Sequence, residues 1–416
     1  MLLTAAMVAL GATILALTFF DIWATVLNPG VESPLSNRFH RTAWRALRAA
    51  ARYLPRRQAL LHAGLPLLVA GLILLWLALL LVGFAALYYP WLGDAAAFNS
   101  PPNFQPSWFT ACYVSGATLF TLGYGDITPV AWPLRLIAIL EAGSGVATIS
   151  LSVAYVLAVY PALSRQHACA TTLDAEVAGQ VGALPLLRRY LPDNAGALAD
   201  RLRELALELL NLTESHETHP VLYYSHPVRV QQSALRLLLT AQRLIAALRY
   251  GLSPERHADL VHNPQLLLLE QAFGHSLSRL SASLHVATFE QHDTERRRQE
   301  YAESFHQLCA DLETIGLVSS RQEAARPVSV LAELMPPPGG SGGTVDNGMI
   351  AVRARQAESA LDADPGLDMR SASPLDAYTA FRLATDFHIT AYAASSGYSL
   401  DEALSDETSL WRGHGS

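Results

Sequence analysis

Three long apolar runs dominate the first part of the chain, and polar or basic stretches separate them. Residues 1–28, 59–89 and 132–160 carry almost no charge. At about 1.5 Å of helical rise per residue, each run is long enough to cross a hydrocarbon core of about 30 Å. The pattern therefore predicts three membrane-spanning helices. We interpret the first as a retained helix rather than a signal peptide, because no basic segment precedes its apolar core.

A basic segment, residues 29–58, separates the first two apolar runs. The positive-inside rule places it in the cytoplasm, so the N-terminus is expected outside and the C-terminal part in the cytoplasm of a multi-pass protein of the inner (plasma) membrane. Over residues 38–57 the arginines recur mostly three or four positions apart, as in an amphipathic helix that lies on anionic lipid. A plain topology signal is the alternative interpretation. The arginines are Arg38, Arg41, Arg45, Arg48, Arg52, Arg56 and Arg57.

A shorter apolar stretch, residues 107–119, lies between the second and third runs. It is too short to span a membrane and predicts a re-entrant helix that enters from outside, with Ser107 as its N-cap. The sequence Thr-Leu-Gly-Tyr-Gly-Asp follows at residues 121–126. This order predicts a pore loop between two spanning helices.

The segment 121–126 has the residue types that can replace the water around a potassium ion with backbone carbonyl oxygens. Successive oxygens point toward a common axis only where the backbone alternates in handedness, and glycine adopts positive φ without strain. One chain supplies a quarter of each oxygen ring, so a homotetramer is predicted. The predicted potassium site consists of the carbonyls of Thr121, Leu122, Gly123 and Tyr124 with the Thr121 hydroxyl, and Gly123 and Gly125 are predicted at positive φ.

The string TLGYGDITP at residues 121–129 resembles the signature of the potassium channel pore-domain family. The resemblance covers residues 59–163, and we assign the pore domain to residues 59–165. It implies a tetrameric, all-α membrane domain of the bacterial type with outer helix, pore helix, filter and inner helix, here with an extra N-terminal helix. Because similar filters with aspartate in place of Tyr124 lose selectivity for potassium over sodium, the resemblance implies passive, potassium-selective conduction.

The resemblance also suggests roles for residues around the filter. Some bacterial relatives pair a pore-helix glutamate with the aspartate after the filter, but Ala117 occupies that position, so Asp126 must find other partners, and the hydroxyl of Tyr113 is a candidate. Family inner helices often bend where Gly145 lies, and Gly143 is a second candidate hinge. Close helix packing is the alternative for both glycines.

Several polar side chains fall within the predicted spans. Ser144, Thr148 and Ser152 share one helix face and are predicted to line a water-filled cavity. Charges in a membrane usually face protein or water. We therefore expect Asp21 to pair with an arginine of the following loop, and Glu141 to contact the back of the pore helix rather than the ion path.

The remaining chain reads as a soluble, helical part. Residues 166–335 repeat apolar residues at spacings of three and four, which predicts a cytoplasmic helical bundle. Residues 336–416 begin with a proline-, glycine- and serine-rich linker and predict a mostly disordered tail with one helix over residues 374–395. The predicted fold is therefore all-α.

The composition fits this division, since 51% of the residues are hydrophobic and only 16% are charged. No span has arginine at every third position, which argues against a voltage sensor, and the gating signal is predicted to be cytoplasmic. His216, His219 and His226 offer a metal- or proton-sensitive patch, with solvated surface histidines as the alternative.

Other functions remain as alternatives. A non-selective cation channel and a non-conducting, membrane-anchored signalling protein both fit the membrane helices. An enzyme is not predicted, because the soluble part has no nucleophile elbow, phosphate loop or zinc-protease motif. No cofactor and no nucleic-acid partner are expected; the predicted partners are further copies of the chain and membrane lipid.

Overall fold

The computed structural model describes residues 2–28, 31, 33–54, 57–101, 105–191, 194–253, 256–283, 294–317 and 373–398. It divides into two compact units. The first comprises Met1–Leu163 and Glu217–Tyr224, and the second comprises Ser164–His216 and Ser225–Ser416.

The first unit is built from helices that precede and follow the pore loop. Among the residues that the structure describes, three helices are long and apolar enough to cross a membrane: Leu2–Leu27, Gly64–Trp91 and Trp132–Glu176. Its elements are α1 (Leu2–Ile22, continued by a π-helical turn Trp23–Leu27), α2 (Pro34–Tyr53), α3 (Arg57–His62), α4 (Gly64–Tyr88, continued by a 3₁₀ turn Tyr89–Trp91), β1 (Phe98–Asn99), α5 (Trp108–Leu119), β2 (Thr128–Pro129) and α6 (Trp132–Glu176), whose residues from Ser164 onward belong to the second unit. The all-α prediction is confirmed, with one small sheet as an addition.

Helices α1 and α4 pack closely because small residues face each other. A Cβ atom added to Gly11 would lie 2.6 Å from the carbonyl oxygen of Gly83, so a side chain there would separate the two helices. Trp76 and Leu80, which precede Gly83 in α4, are fully buried in an apolar core that also contains Leu15 of α1 and Leu119 of the pore helix. The N-terminal helix is therefore packed into the unit rather than isolated beside it.

The small sheet fixes the chain on both sides of the pore loop. Phe98 pairs with Pro129 and Asn99 with Thr128 in an antiparallel register. Phe98 is buried, and its ring lies edge-on to that of Tyr88 with 5.8 Å between centroids. The sequence gives no signal for this pairing, because a two-residue strand has no detectable alternation of apolar and polar residues.

Two predicted helix boundaries differ from the observed ones. The inner helix, predicted over residues 132–160, continues as α6 to Glu176 with Pro161 inside it. A proline removes one backbone hydrogen bond but does not have to end a helix. The outer helix, predicted over residues 59–89, begins as α3 and restarts at Gly64, where an added Cβ would meet the ring of Trp44 at 2.5 Å.

The second unit is a group of helices around an aromatic core. Phe273 and Phe381 are fully buried, and Tyr250 packs on the Phe381 ring with 5.6 Å between centroids. Its elements after α6 are α7 (Leu184–Tyr190), α8 (Ala195–Thr218), 3₁₀ turns Pro220–Tyr224 (which belongs to the first unit) and Val230–Gln232, α9 (Ala234–Ala246, continued by a π-helical turn Ala247–Gly251), α10 (Ala258–Val261), α11 (Pro264–Ser283), α12 (Thr294–Thr314) and α13 (Pro374–Ser396).

Helix α13 matches the helix expected at residues 374–395, but it is part of this unit rather than of a separate tail. It contributes Phe381 to the core, and Gln242 of α9 donates a hydrogen bond to Thr385 Oγ1 at 2.5 Å. The apolar face of the helix requires a partner, and α9, α11 and α12 provide it. The predicted linker at residues 336–343 lies outside the described residues.

Candidate ion pathway

The predicted filter has an alternating backbone. Thr121, Gly123 and Gly125 have φ values of 55°, 61° and 76°, so every second residue is in the left-handed region. Alternation of this kind turns successive carbonyl oxygens toward one side, as ion coordination by carbonyls requires. The two glycines have the positive φ that the sequence predicts. Thr121 was missed, because positive φ is unusual for a β-branched residue.

The start of the filter is attached to the end of α5. The N–H group of Thr121 bonds to the carbonyl oxygen of Thr118 at 3.0 Å, and that of Leu122 bonds to the carbonyl oxygen of Ala117 at 2.8 Å. Ala117 therefore holds the start of the filter through its backbone carbonyl oxygen. At the other end of α5, Ser107 Oγ accepts the Thr110 N–H at 3.1 Å, as the sequence predicts for the N-cap.

Two tyrosines connect the pore helix to the filter. The rings of Tyr113 and Tyr124 are parallel, with 6.2 Å between centroids and an interplanar angle of 1°. The Tyr113 hydroxyl donates to Asp126 Oδ2 at 2.9 Å, which is the contact expected from the absence of a pore-helix glutamate. Residues 121–126 are exposed in the single chain, with Tyr124 65% exposed.

The two inner-helix glycines have different surroundings. A Cβ atom added at Gly145 would lie 2.1 Å from the carbonyl oxygen of Leu119, the last residue of α5. One added at Gly143 would meet nothing within 4 Å in the same chain. The structure therefore supports close helix packing at Gly145, whereas Gly143 remains a candidate hinge.

The predicted cavity-lining face is wrong for two of its three residues. Thr148 and Ser152 are only 3% and 5% exposed in a single chain, so they cannot face a cavity between chains. The Ser152 hydroxyl donates to the Thr148 carbonyl at 2.7 Å, because a serine side chain in a helix can hydrogen-bond to a backbone carbonyl of the preceding turn. Ser144 is half-buried and bonds to the Glu141 carbonyl. The exposed side chains of this stretch include Val146, Ile149, Ser150, Val153 and Leu157.

The two intramembrane carboxyl groups are both buried, and each has a defined environment. The Glu141 carboxyl group is hydrogen-bonded to the hydroxyls of Ser115 on α5 and Tyr88 on α4, so the expected contact with the back of the pore helix is confirmed. The expected pairing of Asp21 with an arginine is wrong. Asp21 instead accepts the N–H groups of Leu35 and Ser36 at the start of α2, at 3.0 and 3.1 Å. A carboxylate is favoured there because the first N–H groups of a helix have no partner within the helix.

The arginines of α2 lie along one stripe of that helix, at Arg38, Arg41, Arg45, Arg48 and Arg52. Trp44 and His40, on another face, are buried. Burial raises the pKa of the Tyr224 hydroxyl, and the nearby Arg41, Arg45 and Arg48 oppose that shift. The five arginines give this side of α2 a positive charge. Arg56 lies outside the described residues.

The histidines singled out in the sequence do not form a common patch. His216 is fully buried, and burial lowers its pKa to about 4. His226 stacks on the ring of Tyr398 with 4.1 Å between centroids, whereas His219 belongs to the other unit and lies near Tyr155. Within the described part of the chain, no group of three or more His, Cys, Asp or Glu side chains could hold a metal ion.

Comparison with known proteins agrees with this geometry. A family model described as ion channel matches residues 72–160, which contain most of α4, all of α5, the filter and all of the predicted inner helix. An uncharacterized membrane protein of Bacillus subtilis (strain 168), YdjJ, is 25% identical over 180 residues, which cover 41% of this chain and 52% of the relative. The chain thus spans about half the length of that relative. No solved structure matches significantly. Residues 72–160 are therefore similar to the ion channel family.

Proposed function

We propose that the chain is a subunit of a homotetrameric, potassium-selective channel that conducts potassium passively through the backbone carbonyls of residues 121–125. The observation that carries the proposal is the positive φ at Thr121, Gly123 and Gly125, directly after a short helix and before a spanning helix. Potassium is the permeant ligand, and the protein is a channel rather than an enzyme, with no cofactor required.

The exposed surface around the filter supports a tetramer. Phe109 and Trp132, at the starts of α5 and α6, are 84% and 71% exposed in the single chain. Further along α6, Ile139 and Leu140 are 66% and 61% exposed. The filter segment 121–126 beside these side chains is itself exposed, and one chain supplies only a quarter of each oxygen ring, so further copies are needed to complete the rings.

Flux in liposomes tests this function. Purified protein in potassium-loaded liposomes should carry potassium down its gradient when a protonophore balances charge, and should carry sodium far more slowly. Replacement of Gly123 by alanine puts a side chain at positive φ and should abolish selectivity or flux. Equal potassium and sodium flux would indicate a non-selective channel, and no flux from a correctly assembled tetramer would favour the membrane-anchor alternative.

We propose the 3₁₀ turn Pro220–Tyr224 as the link by which a cytoplasmic gating signal reaches the inner helix. The 3₁₀ turn Pro220–Tyr224 lies between α8 and α9 in sequence, yet it packs within the first unit. Val221 and Leu222 are 0% and 1% exposed and share an apolar cluster with Tyr155 and Val159 of α6. The turn follows α8 in the chain and is joined to α9 through residues 225–233, and the proposed signal passes along this covalent connection to the turn and its contacts with α6.

Truncation of the turn tests this route. Leu222→Ala should change the open probability, measured by single-channel recording, while potassium selectivity stays as in the wild type. Leu207→Ala is the matched control, because Leu207 is 47% exposed on α8. An unchanged open probability in Leu222→Ala would contradict the route.

The orientation and the lipid contact belong to the same proposal. The arginine stripe of α2 lies on the cytoplasmic side, against anionic headgroups, with the N-terminus outside. None of Arg38, Arg41, Arg45 and Arg52 has an acidic partner within the described residues. Flux should be higher in liposomes with phosphatidylglycerol than in pure phosphatidylcholine, and Arg45→Gln with Arg52→Gln should reduce that difference.

A further inference from the structure

One buried carboxyl group connects the three helices that surround the filter. Glu141 lies on α6, and its Oε2 accepts the hydroxyl of Tyr88 from α4 at 2.6 Å. Its Oε1 is 2.5 Å from the hydroxyl oxygen of Ser115 on α5. Glu141 and Ser115 are completely buried, and Tyr88 is 1% exposed. This cluster is closed to water and is separate from the ion path.

The hydrogens of the cluster can be counted from its contacts. Ser115 Oγ lies within hydrogen-bond distance of both Glu141 Oε1 and the carbonyl oxygen of Leu81, at 2.5 and 2.9 Å. A serine hydroxyl has one hydrogen to donate. If Glu141 is ionised, Ser115 satisfies one acceptor and leaves the other contact without a hydrogen. If Oε1 carries a proton, Glu141 donates to Ser115, Ser115 donates to Leu81, and every contact contains one hydrogen.

The surroundings of Glu141 agree with a neutral carboxylic acid. An ionised carboxylate in an apolar, water-free site requires a cation partner, and its burial without one is strongly unfavourable. Within the described residues, no arginine or histidine forms an ion pair with Glu141. A protonated Glu141 avoids that cost and still forms hydrogen bonds with both neighbouring helices.

The cluster lies directly behind the attachment of the filter. Ser115 is two residues before Ala117, whose carbonyl holds the N–H group of Leu122. One turn after Glu141 on α6, Gly145 faces the Leu119 carbonyl at the end of α5. The C-terminal half of the pore helix is therefore held on the inner helix by one hydrogen-bonded side chain and one close backbone contact.

We propose that Glu141, in its neutral form, is a positioning residue that sets the position of α5 against α6 and thereby the selectivity of the filter. The proposal rests on the proposed function and extends it, because Glu141 touches neither the ion nor the filter. Its effect passes through Ser115 to the pore helix. A residue that only stabilises the fold would not change the ratio of potassium to sodium permeability in tetramers that do assemble.

Two substitutions at the same position separate the hydrogen bonds from the charge. In Glu141→Gln the amide can accept from Tyr88 through Oε1 and donate to Ser115 through Nε2, so all contacts of the neutral acid remain. In Glu141→Leu both hydrogen bonds are lost. Ser115→Ala removes the pore-helix contact from the other side and is a second variant in case Glu141→Leu does not fold.

The experiment compares tetramers purified by size-exclusion chromatography and reconstituted in planar bilayers. Glu141→Gln should keep the wild-type permeability ratio of potassium to sodium. Glu141→Leu and Ser115→Ala should lower it about tenfold, the scale of one lost buried hydrogen bond. Wild-type ratios in assembled Glu141→Leu and Ser115→Ala tetramers would overturn the positioning role, and a Glu141→Gln ratio as low as that of Glu141→Leu would overturn the neutral form.

An infrared measurement tests the proton independently of conduction. The difference spectrum between wild type and Glu141→Gln should contain the carbonyl stretch of a protonated carboxylic acid at neutral pH. A carboxylate band in its place would overturn the neutral form. If the wild type conducts no ions, the proposed function fails while this spectrum still reports the state of Glu141.

Discussion

Replacement of Gly145 by alanine is predicted to displace the pore helix, because no space exists for a side chain at that position. The added Cβ would lie 2.1 Å from the carbonyl oxygen of Leu119 and 3.1 Å from its carbon. The obstructing atoms belong to the backbone, so no side-chain rotation can relieve the clash. A normal contact needs about 3.5 Å, so α5 and α6 must separate locally by about 1.4 Å.

The expected size of the effect follows from that displacement. Overpacking of a close contact typically costs about 1–3 kcal/mol. The clash involves Leu119, the last residue of α5, and only Phe120 separates Leu119 from the filter. We therefore expect Gly145→Ala to lower the unfolding temperature of the tetramer and to reduce potassium selectivity together.

Gly143→Ala is the matched control, since its added Cβ meets nothing within 4 Å in the same chain. The assays are thermal unfolding of the detergent-solubilised tetramer and bilayer recording of both variants. If Gly145→Ala unfolds at the same temperature as Gly143→Ala and keeps its selectivity, the packing argument is refuted. A change only in open probability would instead support the hinge suggested by the family resemblance.

Three further predictions concern other sites. Ala117→Glu should bring a carboxyl group near Asp126 and alter filter inactivation, so unchanged inactivation in bilayer recordings would count against the altered pairing. Asp21→Ala should leave the first N–H groups of α2 unpaired and lower the free energy of unfolding by about 2–4 kcal/mol in denaturant titrations, whereas a loss no larger than that of an exposed substitution would contradict this role. His216, with a pKa lowered from 6.5 to about 4, is neutral in the fold. The unfolded chain then binds more protons between those values, so stability should fall as the pH decreases from about 6.5 toward 4, and His216→Gln should reduce that slope in thermal unfolding.

The sequence was most informative where local chemistry requires particular residues. Only glycine adopts positive φ freely, so Gly123 and Gly125 could be assigned before any coordinates were known. The contact between Tyr113 and Asp126 was also predictable, because Ala117 removes the alternative partner. Hydrophobic length predicted three spans, which agree with the three candidate membrane helices of the structure.

The sequence was less informative where packing between helices decides the outcome. The hydroxyl side chains of Thr148 and Ser152 suggested a helix face that lines a water-filled cavity, but both residues are buried within the single chain. Asp21 was assigned to the nearest positive charges, whereas the start of α2 supplies a closer set of donors. Periodicity alone cannot tell which face of an apolar helix meets a neighbour and which meets a cavity.

Positive φ at Thr121 and the position of the turn Pro220–Tyr224 had no detectable signal in the sequence. A threonine gives no indication of a left-handed backbone, since its side chain disfavours it. The turn lies between two helices of the second unit, and only the three-dimensional contacts assign it to the first.

Permeation through a potassium-selective filter is the central claim, and a reversal potential tests it most directly. The wild-type tetramer is recorded in a planar bilayer with potassium on one side and an equal concentration of sodium on the other. The account predicts a reversal potential far from zero, with the sign set by potassium flow. A reversal potential near zero, from channels that conduct both ions, would contradict it.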